Sequence, residues 1–315
     1  MTLAVCLLLY SFAVAVLAPG PLLRCTRGGV APRLGVAVWL AATGSVVLSW
    51  LAAAGFLVVD LASRWDRPGT LLRDCFATLR SGSLGRFGIL VQIALLVLAV
   101  LASVAVAVLA VRLARAMARA RTRSRDHGRL VRLVGRPVPG VDAVLLEAPE
   151  RIVYCVAGRP HTIVVTSATL DTLDEPQLGA VLSHERAHLA GRHHLLVAFT
   201  RGLARILPGV ALFTAGATEI ARLLEMCADD AAARAHGPRT VLGALLTLSG
   251  AVPSPAGTLA ATGVDVLARA ERLATPPDTA SRVRARVLLT AVAVLVVAGP
   301  ALTATGLALC GPMTA

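Results

Sequence analysis

The stretch His184-Glu185-Arg186-Ala187-His188 decides how the rest of the chain is read. Residues four apart on an α-helix share a face, so His184 and His188 would direct ring nitrogens at one metal ion. Glu185, one position on, would sit beside that ion without ligating it. Zinc held by two histidines and a third protein ligand lowers the pKa of a bound water to about 7, and a neighbouring carboxylate can take that water's proton as it attacks a carbonyl. The spacing is the one used for metal-assisted hydrolysis of peptides. A helix with solvated histidines carries the same five letters, so the surroundings decide.

Upstream, Asp174 is a good N-cap, with Pro176 in the first turn and Gln177 at the capping-box position. Leu178, Val181, Leu182, Ala187 and Leu189 then continue a helical apolar pattern that Gly191 closes. The pentapeptide therefore lies on a capped helix. Before it, a short turn of helix is expected around Ala168 to Leu173, and three short β-branched runs, 141–146, 152–156 and 161–166, predict a small antiparallel sheet. The run 161–166, leading towards the helix, is the expected edge to which an extended peptide could pair, although it would serve equally as a core strand.

Downstream, 195–216 is apolar but broken by Arg201, Arg205 and Pro208-Gly209. It returns to the side it came from, either as a bent hairpin in the membrane or as amphipathic helices at its surface, and the two arginines favour the second. A helix over Thr218 to His236 follows, with Glu225 and Asp229 four apart on one face. If Glu225 reaches the metal, Asp229 can accept the second N–H of a ligand histidine. Taken alone, the two acids also read as a solvated face. Three histidines are not promoted: His193 and His194 fall past Gly191 and are expected to face solvent or the interface. His236 lies eleven residues from Glu225, about 16 Å along a straight helix. Cys227 points away from Glu225 and is expected to pack in the core, and Arg222, Arg234 and Arg239 have no stronger claim than His236 as an oxyanion donor. Two more helices, 239–249 and 264–274, are expected to cover this domain.

The composition, 56% hydrophobic with 3% aromatic, is too apolar for an ordinary soluble domain, and the formal net charge is +13. No lysine occurs, so all 31 basic side chains are arginine. Six cysteines without a CxxC spacing exclude a disulfide framework and a zinc-thiolate site. Spans are expected at about 2–18, 36–61 and 84–111, with a fourth over 286–309. The arginines from Arg112 to Arg136, opposed by Asp126 alone, mark the cytoplasmic side, and Arg269, Arg272, Arg282, Arg284 and Arg286 mark it again before the last span. That orientation places the N-terminus and the loop 64–86 outside. The arginine run lacks interleaved aromatics and abuts a span, so no direct nucleic-acid binding is expected.

A HExxH helix, an apolar excursion and then Glu225-Met226-Cys227-Ala228-Asp229 on a second helix resembles the integral-membrane gluzincin peptidases, which include the HtpX-type, CAAX-prenyl-type and BlaR/MecR-type enzymes. The resemblance covers roughly 141–237. It implies His184 and His188 as metal ligands, Glu185 as catalytic base, Glu225 as third ligand, Asp229 in support and one Zn2+ per chain. Three spans before the site and one after look more like the BlaR/MecR type, but that type's external penicillin-binding sensor domain is missing, and no Ser-x-x-Lys motif follows the last span.

The expected protein is an α+β membrane protein with about four transmembrane helices and a mainly helical, zincin-like catalytic domain carrying a small antiparallel sheet. Residues 1–136 would form three spans and an arginine-rich cytoplasmic linker, 137–284 the metallopeptidase domain and 285–315 the last span and tail. It would sit in the cell membrane as a multi-pass zinc endopeptidase, cutting a protein substrate such as a transcriptional repressor at the cytoplasmic face. The alternatives are an HtpX-type quality-control protease and a non-catalytic scaffold braced by zinc. A channel or transporter is disfavoured because the spans carry almost no ionisable residue.

Overall fold

In the computed structural model, residues 2–63, 88–158, 160–249 and 259–310 are described. The chain is mainly helical. Helices α1 (Thr2–Leu17), α2 (Pro19–Thr26), α3 (Pro32–Ser63) and α4 (Gly88–Val134) precede the sheet. Two stretches among the described residues are long and apolar enough to cross a bilayer, Pro32–Phe56 in α3 and Thr279–Leu302 in the last helix. The four-span expectation is corrected accordingly. At 16 residues α1 is about 24 Å long, short of the roughly 30 Å hydrocarbon core. It qualifies only together with α2, to which it is bent by 47° at the break before Pro19, a residue with no N–H to continue the first helix. The loop 64–86 and the start of the expected span 84–111 lie outside the described residues. From Gly88 onward that segment is the first half of α4, which runs without a break into the arginine-rich half.

The far end of α4 holds the sheet. Val131 packs with Val156 and Val164, Ser124 Oγ donates to the Ala157 carbonyl at 2.6 Å, and Arg132 donates to Thr162 Oγ1 at 2.9 Å. Strands β1 (Arg136–Pro137), β2 (Val144–Leu146), β3 (Val153–Val156) and β4 (Thr162–Thr166) lie in the order β1-β2-β4-β3. The sheet is mixed rather than antiparallel: β3 pairs antiparallel with β4, but β2 pairs with β4 in parallel, Val144 opposite Val164. Strands β3 and β4, consecutive in the chain, pair antiparallel, while the connection through Pro149 lets β4 enter between β2 and β3. Consequently the strand in the expected edge run 161–166, β4, is central and buried from Thr162 to Thr166, and β3 forms one edge of the sheet with β1 at the other.

Helices α5 (Ser167–Leu170), α6 (Glu175–Ala190), α7 (His193–Ile206), α8 (Ala211–His236), α9 (Pro238–Ser249), α10 (Leu259–Ala274) and α11 (Thr279–Cys310) follow. The α6 start is the expected capping box: Gln177 N–H donates to Asp174 Oδ1 at 2.8 Å and the Asp174 N–H donates to Gln177 Oε1. The apolar excursion is a helix pair broken at Leu207 to Val210, so the helix expected from Thr218 begins at Ala211 instead. The last helix begins at Thr279 instead of near Arg286, because Asp278 caps it by accepting from the Ser281 N–H at 3.0 Å.

One core joins membrane helices to the α8 helix. Trp39, Val38, Ala42 and Val46 of α3 pack with Leu212, Ile220 and Leu223 of α8, all fully buried. Gly216 leaves the space that Trp39 fills, since a Cβ there would come to 3.1 Å from the indole. Within this core Glu219 is buried, paired with Arg222 at 2.6 and 2.9 Å, and accepts from Thr26 Oγ1 at 2.6 Å. Arg222 also donates to the Thr26 carbonyl at 2.9 Å, which fastens α8 to α2. An Arg222→Leu variant would leave the Glu219 carboxylate buried and unpaired, a loss of about 3–5 kcal/mol. A markedly lower thermal midpoint in detergent is expected; an unchanged midpoint would show the pair to be dispensable.

Candidate metal centre

Helices α6 and α8 pack against each other and bring His184, His188 and Glu225 together, in a group that could hold a metal ion. His184 Nε2 lies 3.1 Å from His188 Nε2, and the two Glu225 carboxylate oxygens lie 3.4 Å from one Nε2 each. Four-coordinate zinc with bonds of 2.0–2.1 Å needs ligand atoms about 3.3 Å apart. The donors present therefore fit a zinc-sized ion.

The opposite ring nitrogens are engaged, which is what frees the Nε2 lone pairs for a metal. His184 Nδ1 lies 3.0 Å from Asp229 Oδ1, and His188 Nδ1 lies 2.8 Å from His193 Nδ1. Asp229, almost fully buried, is gripped by Arg269 of α10 through two hydrogen bonds of 2.7 Å. Arg269 also reaches Glu225 at 3.3 Å. Burial alone would depress His184, but Asp229 and Glu225 outweigh it and push the imidazole up to about 9. Burial opposes the charge on Asp229 and Glu225 too, yet Arg269 and His184 hold Asp229, and the two histidines hold Glu225, below the usual carboxylate range. Glu185 is also buried, and for it desolvation prevails, raising its carboxyl. The Cys155 thiol of β3 is pushed up to about 12, by burial first and by the Glu185 carboxylate beside it second.

Two residues escaped the sequence reading. His193 is buried, not solvent-facing as expected, because the chain turns back on itself after α6. Arg192 adopts a left-handed conformation with φ of 50°, and a Cβ at Gly191 would collide with the His193 ring. Gly191 was thus a signal for close approach as well as a helix stop. Arg269 was read only as a charge marking the membrane side, and nothing local in the sequence pairs it with an acid 40 residues earlier. His236 stays away from the cluster: its Nε2 contacts Ser183 Oγ at 2.7 Å, on the Gly179 side of α6. Cys227 is buried in the core, as expected.

Two cavities meet at the cluster, one of about 220 Å³ and one of about 420 Å³; Val153, His184, Glu185 and Glu225 line both. The edge strand β3 borders each of them, through Val153 in the first and through Tyr154 and Cys155 in the second.

No curated protein and no solved structure matches this chain. The sequence does match peptidase family M48 over residues 117–287, more than half of the chain and inclusive of every residue of the cluster. Peptidases of that family are metal-dependent, in keeping with a His, His, Glu donor set on two packed helices. The match over residues 117–287 identifies the chain as a member of peptidase family M48.

Proposed function

We propose that the chain is a membrane-embedded zinc endopeptidase that hydrolyses a protein substrate at the cytoplasmic face. The observation that carries this reading is the convergence of His184, His188 and Glu225, with both Nδ1 atoms already occupied, next to the buried Glu185. Zinc at that point would supply Lewis acidity, polarising a carbonyl and acidifying a water. Glu185 takes the proton of the attacking water, for which its desolvated and therefore more basic carboxylate is suited, and passes it to the leaving amide nitrogen. Asp229 fixes the His184 tautomer, Arg269 fixes Asp229, and His193 does the same service for His188.

The free edge of β3 suits an extended peptide, which would pair with the strand and run past Glu185 between the two cavities. This transfers to β3 the role expected of 161–166. A substrate read through main-chain hydrogen bonds must be unfolded locally, as a regulatory protein such as a repressor can be in a linker. The purified chain is expected to cleave an unstructured protein, to stop when a chelator removes its metal, and to resume with one zinc per chain. Cleavage indifferent to chelation would defeat the reading. The arginines that open α11 and those along α4 support a cytoplasmic catalytic side. A reporter fused after Arg136 is accordingly expected inside the cell, and its appearance outside would reverse the topology.

A further inference from the structure

A cavity of about 620 Å³ lies away from the metal cluster, where α3, α8, α10 and α11 come together. Five arginines line it, Arg33, Arg234, Arg272, Arg282 and Arg286, against one acid, Asp230. Arg272 is committed: it pairs with Asp230 at 2.7 Å and donates to the Gly29 carbonyl at 2.8 Å. The other four have no ion-pair partner among the described residues. Guanidinium groups gathered about one cavity repel one another, so the arrangement is stabilised by an anion that enters it. Arginine, with its planar fork of donors, matches a phosphate better than a lone cation would.

The position of the cavity names the anion's carrier. Arg33 is the second residue of the span Pro32–Phe56, and Arg282 and Arg286 occupy the first turns of the span Thr279–Leu302. Both spans therefore leave the cavity in the same direction, into the hydrocarbon. Arg282 and Arg286 are four apart and share a face of α11. Val283, Val287 and Leu288, between and just beyond them, are 53%, 65% and 46% exposed. A charged cavity at the membrane surface that adjoins a bare apolar helix complements an amphiphile with an anionic head and acyl tails. We propose that this cavity is a binding site for the phosphate headgroup of an anionic phospholipid, seated against the start of α11. The proposal rests on the two spans being inserted and not on peptidase activity, so either can fail without the other.

The test uses the full-length chain in neutral detergent. Binding of dioleoyl phosphatidylglycerol and dioleoyl phosphatidylcholine is compared by native mass spectrometry. Phosphatidylglycerol is expected to bind at least about tenfold more tightly, and Arg286→Gln to weaken it about fivefold. The triple variant Arg33→Gln, Arg282→Gln, Arg286→Gln is expected to bind the two lipids alike. A control of equal charge, Arg115→Gln, Arg119→Gln, Arg123→Gln on α4, is expected to keep the preference, and the single variant serves should the triple one fail to fold. Equal binding of the two lipids by the wild type would overturn the proposal, as would equal loss in the control. So would sn-glycerol 3-phosphate binding as tightly as the lipid, since the ligand would then be a soluble phosphate; its failure to compete supports the lipid.

Discussion

The Glu185→Gln protein is expected to bind one metal ion per chain as the wild type does and to cleave an unstructured protein about 10²–10⁴-fold more slowly. The amide is nearly isosteric with the acid and keeps the side chain in its buried place between α6 and β3, but it cannot accept a proton. Glu185 is not one of the three converging donors, so the metal should stay. The contrast between retained metal and lost turnover separates a base from a ligand, and a variant as active as wild type would remove the mechanism. The same protein, held with substrate bound and uncut, is the means to find what the enzyme acts on in cells.

His188→Ala is expected to do the opposite, abolishing activity by emptying the site. Zinc sites of four ligands are worth about 10–16 kcal/mol in all, so one ligand contributes some 10²–10³-fold or more in affinity. Metal measured by mass spectrometry after dialysis should fall from one equivalent to a trace. Asp229→Asn should have a graded effect, weakening metal about 10–100-fold while the site still fills at high zinc, because it alters the orientation of His184 and not the donor count. If purified wild type held no metal under conditions that load other zinc enzymes, both the catalytic reading and the braced-scaffold alternative would fall.

How much of this was legible in the sequence depends on how local each cause is. The α6 start was readable because its causes, Asp174, Pro176 and Gln177, lie within four residues of one another. Helical spacing put Glu225 and Asp229 on one face, but that this face turns to the histidines was implied only by the resemblance to the gluzincin peptidases, since two acids four apart read equally as a solvated face. Strand order was not readable: three short β-branched runs carry no information about which neighbour each takes, and the edge passed from 161–166 to β3. For the first expected span, hydropathy registered apolarity and not the bend at Pro19 that divides α1 from α2, while the start of the expected span 84–111 lies outside the described residues. His193 was missed because a helix stop was taken for a departure, when the left-handed Arg192 turns the chain back onto His188. Arg269 acts through tertiary contact alone.

The long helix α8 has a consequence for where this enzyme can be cut. Its first half is wedged against α3, with Leu212, Ile220 and Glu219 buried there, and its second half carries Glu225, which converges with His184 and His188, and Asp229, which lies against His184 Nδ1. A single rigid rod thus belongs to two compartments of the protein at once. A soluble fragment trimmed to the family-matched residues 117–287 would strip α1 to α3 from that rod, baring its apolar flank and stranding the Glu219–Arg222 pair without Thr26. Helices α1 to α3 thus brace the rod that carries Glu225.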